Sequence, residues 1–419
     1  PAVQTPAHKT GLLAELVCSN SMGSNQRNRP AGLLQAELRQ LNSFILQCAI
    51  ETALPAGGSL AVDRDRFALL VTDRLGNSPN VTIIRAEVTN IPDVPSIIAT
   101  GPLTSSGMTA EIARLTGSEF LFFFDAIAPI VSLDSIDLNK AFWGSRYAFD
   151  KEDQGDYLNC PFSEEEYRSF IRELVAAERT PVRTFEEQVD KGVKINALPF
   201  FESCLPIEVL AARDPEALSF GPLRPVGLRD SHTDTRPYAV LQLRQDNLAK
   251  TLFNLVGFQT SLTYNEQERI FRLIPGLENA EFIRYGQMHR NTYINSPRVL
   301  MPTNQYRQRD TLFFAGQIAG VEGYAGNIAS GLVAGLNASR LLTGQPLLTF
   351  PRETMIGSLH HYITHTDPNT FQPMKANFGL LPELEIIIRS KRDKKYALAK
   401  RALRSLHAYC LENELECFT

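Results

Sequence analysis

Apolar residues recur every three or four positions along residues 31–52, and this spacing predicts an amphipathic helix that ends at a turn rich in proline and glycine. The same periodicity predicts helices at residues 65–75 and 164–178. Runs of β-branched residues predict strands at residues 81–88 and 96–99. Helical and strand-like segments therefore share the first part of the chain.

A strand, a glycine turn and a helix follow one another between residues 311 and 342 and form the clearest supersecondary unit. The apolar run 311–315 predicts the strand, and residues 316–323 predict the turn. The small and apolar residues at 328–342 predict a buried helix. Backbone amides at a helix N-terminus attract anionic groups, and glycine lacks the Cβ that would block them. On the glycines alone, a ligand site and a plain tight turn are about equally supported, and no GxGxxG follows a strand.

The other segments are patterned less strongly. The sequence predicts an ordered polar loop at residues 1–30 and a strand-like block at residues 120–131. At residues 238–300 it predicts short strands that alternate with turns. The charged residues 179–197 predict a surface insertion.

Composition narrows the class of protein. With 419 residues the chain is long enough for two or three domains, and 43% hydrophobic with 21% charged residues is typical of a globular protein. The apolar runs are shorter than the roughly 18 residues that a membrane helix requires. Because the net charge is −4, any nucleic-acid binding has to depend on a local patch.

The cysteines are scattered without CxxC pairs or zinc-ligand spacing, which argues against a zinc site and against a disulfide framework and favours a reducing, cytoplasmic location. Cys18 and Cys204 lie in polar loops, where a reachable thiol can act as a nucleophile. Cys48, Cys410 and Cys417 are predicted to be small, buried hydrophobic residues. Whether Cys160 is structural or reactive stays open.

Histidines and basic residues supply the remaining candidates. His289 lies among hydrogen-bond donors that could hold a planar heteroaromatic ligand, although a structural histidine is the commoner case. His360, His361 and His365 lack the carboxylate of a metal motif, so no metal is predicted. Residues 389–404 carry eight basic side chains against one acid, which predicts either a solvated helix face or a phosphate-contacting patch.

Many separate blocks, read together, are more specific than any single motif. They are ELVCSNS near the start, PAGGSLAVDR at 55–64, ATGPLTS at 99–105, FFFDAIAPIV at 122–131, LNCP at 158–161, CLPIEV at 204–209, LRQDN at 243–247, NLVGFQT at 254–260, RIFRLIPGLENAEFIRYG at 269–286, MHRNTY at 288–293 and LFFAGQIAGVEGY at 312–324. In this combination the chain resembles the bacterial folate- and FAD-dependent tRNA (uracil-5-)-methyltransferases. The resemblance runs from Thr5 to about Leu381.

The resemblance implies an α/β fold with a Rossmann-like FAD-binding domain, formed by residues 1–105 and 300–419, and an inserted α+β domain of residues 106–299. The first βαβ unit of the FAD-binding domain, with its GxGxxG turn, is expected to be missing from this chain. The implied activity places a methyl group on C5 of a uridine in the T-loop of tRNA. Its carbon comes from 5,10-methylenetetrahydrofolate, and NAD(P)H reduces the FAD.

The resemblance also assigns site residues one by one. Cys204 is expected to attack uracil, with Cys18 as its partner at the flavin. The expected FAD contacts are Thr100, Gly101, Gly316, Gln317, Gly320, Val321, Glu322 and Gly323. His289 and Arg290 are expected on the folate side. The expected RNA contacts are Arg389, Lys391, Arg392, Lys394, Lys395, Lys400, Arg401 and Arg404.

Three alternatives stay open at this point. The same chemistry could act on a uridine of ribosomal RNA, because RNA is recognised largely by shape and splayed bases. A non-catalytic RNA-binding homologue would hold no FAD, so a yellow purified protein would exclude it. The related flavoproteins that modify tRNA wobble uridines share fold and folate but lack cysteines at these two places.

Overall fold

The computed structural model describes residues 8–117, 121–146, 155–180 and 205–418, with side chains described except at 121–126 and 288–290. The helices in the described ranges are α1 (Pro30–Gln40), α2 (Phe44–Glu51), α3 (Arg64–Gly76), α4 (Ser106–Thr116), α5 (Glu164–Ala176), α6 (Ile207–Arg213), α7 (Ala217–Phe220), α8 (Tyr264–Phe271), α9 (Ser296–Val299), α10 (Tyr324–Leu342), α11 (Met355–His365) and α12 (Lys391–Glu412). Short 3-10 helices lie at Leu133–Ser135, Gly316–Ala319 and Phe378–Leu380.

The strands in those ranges form five sheets. They are β1 (Ser21–Ser24), β2 (Ala53–Leu54), β3 (Ser59–Val62), β4 (Ser96–Ile98), β5 (Leu121–Ala126), β6 (Ile130–Ser132), β7 (Phe142–Gly144), β8 (Tyr157–Phe162), β9 (Ala239–Gln245), β10 (Leu252–Leu255), β11 (Phe282–Arg284), β12 (Met288–Tyr293), β13 (Gln305–Tyr306), β14 (Arg309–Phe314), β15 (Val321–Glu322) and β16 (Met374–Lys375).

The largest sheet is antiparallel, with strand order β11-β6-β10-β9-β8-β7. Its core is formed by apolar residues between positions 128 and 280 and includes the fully buried rings of Phe162, Phe170, Phe253, Phe258 and Phe271. Helices α5, α6 and α8 contribute side chains to the same core. Burial of these aromatic rings stabilises this core, since each removes a large apolar area from water.

A second core joins the beginning and the end of the chain. The sheet β1-β3-β2 packs with α1, α2, α3, α10, α11 and α12 around buried side chains such as Leu33, Phe67, Ile356 and Leu406. Next to it, β4 and β14 pair in parallel, and Ile98 and Phe314 enter a third cluster with Ile112 of α4. The domain boundaries expected from the resemblance stay a prediction.

The sequence prediction of one helix at residues 31–52 is wrong, because two helices occupy this stretch. Asn42 between them has a left-handed backbone (φ 52°), and the Ser43 hydroxyl accepts the Leu46 N–H at 3.4 Å as the cap of α2. A left-handed residue followed by a serine cap ends one helix and starts another.

The predicted strand at residues 81–88 is also wrong: this segment has no regular structure, and Val81, Ile84 and Val88 are exposed. The strand predicted at 96–99 is confirmed as β4. Helix α10 begins at Tyr324, four residues earlier than predicted, because a 3-10 turn and the short β15 complete the bend before it. Most of the predicted insertion at 179–197 lies outside the described residues. In the described chain, no helix combines the length and apolar character of a membrane span.

Candidate active site

A cavity of about 690 Å³ lies where residues 8–24, called here the Cys18 segment, meet the end of β4 and the start of α10. Of the residues predicted from the sequence, the structure brings together Cys18, Thr100, Gly101, Gln317, Glu322 and Gly323 on its wall. These residues are up to about three hundred positions apart in sequence, so only the fold joins them. A volume in the range of about 300–1,000 Å³ is typical of ligand and cofactor sites.

Two helix N-termini face this cavity. The residues before α1 and α10, Arg29 and Gly323, line the wall, and neither provides a side-chain cap for its helix. Uncapped N–H groups and the positive end of the helix dipole favour an anionic group at such a position. Gly101 has φ 71°, and a Cβ there would meet nothing within 4 Å, so the backbone at the end of β4 is open to a ligand.

The wall also contains a polar atom that lacks a partner. The side-chain oxygen Oδ1 of Asn327 is buried without a hydrogen-bond partner among the described residues, and Asn327 lines the cavity. A buried unpaired oxygen is costly unless a ligand or water donates to it. Lys375, at the end of β16, adds a positive charge to the same wall. The donor set therefore fits a group with both anionic and hydrogen-bonding parts.

Cys18 is half-buried, and its segment is held by side chains from distant elements. Its backbone N–H donates to the Tyr324 hydroxyl at 3.0 Å. Arg64 donates from Nη2 to the Cys18 carbonyl at 3.0 Å and from Nη1 to the Leu16 carbonyl at 2.5 Å. Burial raises the pKa of Tyr324, so this phenol keeps its proton at neutral pH. The thiol-bearing segment thus has fixed backbone positions before and at Cys18.

Arg64 is in turn fixed by Asp246, which directly follows β9. Its Nε lies 2.9 Å from the carboxylate of Asp246, and both side chains are nearly buried, 11% and 4% exposed. Arg284 at the end of β11 donates from Nη2 to the Val17 carbonyl at 2.6 Å. Two guanidinium groups from different elements therefore hold consecutive carbonyls of the Cys18 segment.

On the other side of Cys18, Asn20 is completely buried and joins two sheets. Its amide nitrogen Nδ2 donates to the carbonyls of Val62 in β3 and Gln245 in β9, each at 3.0 Å. Its oxygen Oδ1 accepts from Arg244 Nε at 2.8 Å. Burial lowers the pKa of Arg244, yet a guanidinium stays charged at neutral pH because its ordinary pKa is far higher.

The other residues of the glycine turn do not line the cavity. Val321 is fully buried in the third core, and Gly320 has φ 79° with the Phe371 ring where a Cβ would stand, 2.5 Å away. The Gly316 N–H donates to the Ser330 hydroxyl at 3.0 Å. In this structure these three residues shape the turn that presents Gln317, Glu322 and Gly323.

Several predicted residues lie outside what the structure describes. Cys204 is one of them, and so are the side chains of His289 and Arg290. The backbones of His289 and Arg290 lie on β12, paired with positions 125 and 124 of β5. Their roles stay predictions.

The predicted RNA-contacting residues lie on α12 or directly before it. Lys391, Arg392, Lys394 and Lys400 are exposed, and so are Arg389 and Arg404, while Lys395 and Arg401 are half-buried. Arg401 is used structurally, because it donates to the carbonyls of Pro382 and Glu383 at 2.6 and 2.7 Å.

The remaining cysteines and histidines have structural environments. Cys48 and Cys410 are buried as predicted, Cys417 is half-buried, and burial raises the pKa of the Cys160 thiol. The pKa of His360 is lowered by burial to about 4, and its Nδ1 lies 2.7 Å from the Ile356 carbonyl. Among the described side chains, no group of three His, Cys, Asp or Glu residues is arranged to hold a metal ion.

Sequence reasoning did not single out Arg64, Arg244, Arg284 or Asn327. Arg64, Arg244 and Arg284 stood inside the blocks PAGGSLAVDR, LRQDN and RIFRLIPGLENAEFIRYG, but nothing local connects them with Cys18. Their contacts span 46, 224 and 267 positions in sequence, so no periodicity could reveal them.

Comparison with known proteins defines first the fold and then the family. Residues 2–346 match the family model described as glucose inhibited division protein A. The solved structure of Aquifex aeolicus GidA in its form II crystal has a TM-score of 0.66 at 16% identity over 96% of this chain and 67% of that one, and the form I crystal has 0.65. These structures confirm the predicted α/β fold class.

Curated relatives are much closer in sequence. The methylenetetrahydrofolate–tRNA-(uracil-5-)-methyltransferase TrmFO of Pelotomaculum thermopropionicum is 54% identical over 98% of this chain and 91% of its own length, and that of Bacillus subtilis strain 168 is 52% identical over 97% and 90%. The chain belongs to the methylenetetrahydrofolate–tRNA-(uracil-5-)-methyltransferase family. The resemblance inferred from the sequence blocks is thereby confirmed.

Proposed function

We propose that this chain methylates C5 of a uridine in the T-loop of tRNA, with 5,10-methylenetetrahydrofolate as carbon donor, FAD as cofactor and NAD(P)H as reductant. Family membership at above 50% identity supports the reaction. The observation that carries the site assignment is the cavity of about 690 Å³ that joins Cys18 to the predicted FAD-contacting residues. The relatives' name fits tRNA rather than ribosomal RNA as substrate.

FAD fits this cavity by the chemistry of its wall. The N-termini of α1 and α10 suit an anionic part of the cofactor, and the unpaired Asn327 oxygen suits a ring N–H. Thr100, Gly101, Gln317, Glu322 and Gly323 would hold it from the strand ends and the turn. When bound, the flavin supplies the reducing electrons that turn a methylene into a methyl group.

The chain's own contribution is to activate the base. Uracil C5 is a weak nucleophile until a group adds at C6, and a thiolate can form that bond and leave again. Cys204 is our choice for this addition, because its CLPIEV block matches the family. Cys18 would act beside it at the flavin. His289 and Arg290 would bind on the folate side.

The tRNA needs a local positive surface, since the chain as a whole carries −4. Helix α12 provides one: Lys391, Arg392, Lys394 and Lys400 are exposed on it. Phosphate contacts of this kind position an RNA without reading its sequence. Selection of the uridine would then fall to the cavity, where a splayed base can be held.

The test is incubation of the purified protein with methylene-labelled methylenetetrahydrofolate, NAD(P)H and unmodified transcripts. A tRNA transcript should gain labelled 5-methyluridine. A matched tRNA with cytidine in place of the T-loop uridine should gain none, and neither should a ribosomal RNA transcript. Label in the ribosomal transcript alone would overturn the choice of substrate. A colourless protein that binds tRNA but transfers no label would overturn the catalytic assignment.

A further inference from the structure

Three guanidinium groups surround the segment that carries Cys18. We propose that Arg64, Arg244 and Arg284, called here the arginine cradle, position Cys18 and hold its sulfur as a thiolate. This inference rests on the proposed function, which places Cys18 at the flavin.

The geometry comes from three separate elements. Arg64 at the start of α3 donates to the carbonyls of Leu16 and Cys18, and Arg284 at the end of β11 donates to that of Val17. Arg244 of β9 reaches the segment from the other side through the Asn20 side chain. The carbonyls of residues 16–18 and the side chain of Asn20 are thus all held by hydrogen bonds. Few rotations remain that would move the Cys18 Cα.

The charges of the cradle favour an anion. Among the described residues, the buried carboxylate of Asp246 lies 2.9 Å from Arg64. Burial lowers the pKa of Arg244 and Arg284. Attraction to Tyr157, Asp246 and Cys18 opposes this for Arg244, and attraction to Tyr324, Cys18 and Asp246 opposes it for Arg284. Such coupling is mutual, so the same attraction favours the thiolate over the thiol.

Other titratable and charged groups line the same cavity as Cys18. They are Tyr324 of α10, His8 and Glu15 of its own segment, and Arg29, Glu322 and Lys375 further along the cavity wall. Tyr324 keeps its proton because burial raises its pKa, so it adds no charge at neutral pH. Of the two acids, Glu15 already accepts the N–H groups of Lys9 and Thr10 and the Thr10 hydroxyl.

The experiment measures how fast iodoacetamide alkylates Cys18 in the purified flavin-containing protein, with the peptide identified by mass spectrometry. The variants are Arg244→Gln, Arg284→Gln and the charge-retaining Arg284→Lys. Arg114→Gln, which removes an exposed ion pair on α4, is the matched control. Rates are taken between about pH 5.5 and 9.5, a range that brackets an ordinary thiol.

In Arg244→Gln and Arg284→Gln the alkylation rate near neutral pH should fall about tenfold, with the pH midpoint about one unit higher, while the limiting rate at high pH stays the same. Arg284→Lys should restore the midpoint. A purely structural role would change the limiting rate and leave the midpoint alone, and that result would overturn the proposal. Equal midpoints in Arg284→Gln and Arg114→Gln would also overturn it, even if Arg244→Gln does not fold. The assay needs neither folate nor tRNA, so a failure of the methyl-transfer reaction remains a separate result.

Discussion

Glu37 of α1 offers the sharpest test of the fold, because a completely buried carboxyl group holds the start of α11. Its two oxygens accept the backbone N–H groups of Met355 and Ile356 at 2.7 and 2.8 Å, and Thr354 caps the next N–H. Burial raises the pKa of Glu37 from 4.5 to about 8, and the two hydrogen bonds offset this only in part. The folded protein therefore binds this proton more tightly than the unfolded chain does.

The sign of the effect follows from linkage. Where the folded pKa is the higher one, stability is greatest below the unfolded value and falls as pH rises toward the folded value. At about 1.4 kcal/mol per pH unit, Glu37 should cost the protein about 2 kcal/mol between pH 6 and pH 8. Replacement Glu37→Gln removes the titration while keeping a side chain of the same size.

Urea unfolding at pH 6, 7 and 8 measures this directly. The decline in unfolding free energy across this range should be about 2 kcal/mol smaller in Glu37→Gln than in the unmodified protein. Glu385→Gln, at an exposed position, should leave the decline unchanged. If Glu37→Gln shows the same decline as the unmodified protein, the carboxylate is ionised throughout, held by the helix dipole and its two N–H donors, and the reasoning fails.

Three further predictions concern the site and the turn. Cys204→Ala should abolish methyl transfer while flavin absorbance remains; normal activity would remove Cys204 from the nucleophile's role. Reversing the charges of Lys391, Arg392 and Lys394 should weaken tRNA binding and reduce the salt slope by about 1 for each phosphate that is no longer neutralised, as read by filter binding at several salt concentrations; unchanged slopes would make α12 a solvated face. Gly320→Ala should lower the unfolding free energy by about 1–3 kcal/mol, because of its positive φ and the Phe371 ring, whereas Gly331→Ala, with nothing within 4 Å, should not.

The sequence predicted elements best where a local signal and tertiary packing agree. Strand β14 and helix α10 combine an apolar run with buried neighbours, and both exist. The segment at 81–88 has strand-forming residues but no partner strand, so its β propensity alone does not produce a strand. The break between α1 and α2 had a readable cause in Asn42 and Ser43, which the longer helical periodicity masked.

The candidate site divides in the same way. Cys18 was a candidate because a thiol in a polar loop can be reactive, and Gly101 and Gly323 were assigned through the resemblance of their blocks to the family. Arg64 and Arg284 gain their place at the site only from the carbonyls they reach, and those hydrogen bonds are made by the fold over 46 and 267 positions in sequence. A charged residue in a chain where 21% of residues are charged carries little information until its partner is known.

Asn20 has a mechanical consequence. Its side-chain amide forms hydrogen bonds to β3, to β9 and to Arg244, and Asn20 lies two residues after Cys18. If the six-stranded sheet tilted away from the β1-β3-β2 sheet, either Cys18 would move with it or the hydrogen bonds of the Asn20 side chain would break. A probe attached near Cys18 would therefore report on movement between the two sheets, and a substrate that draws them together would be sensed at the thiol.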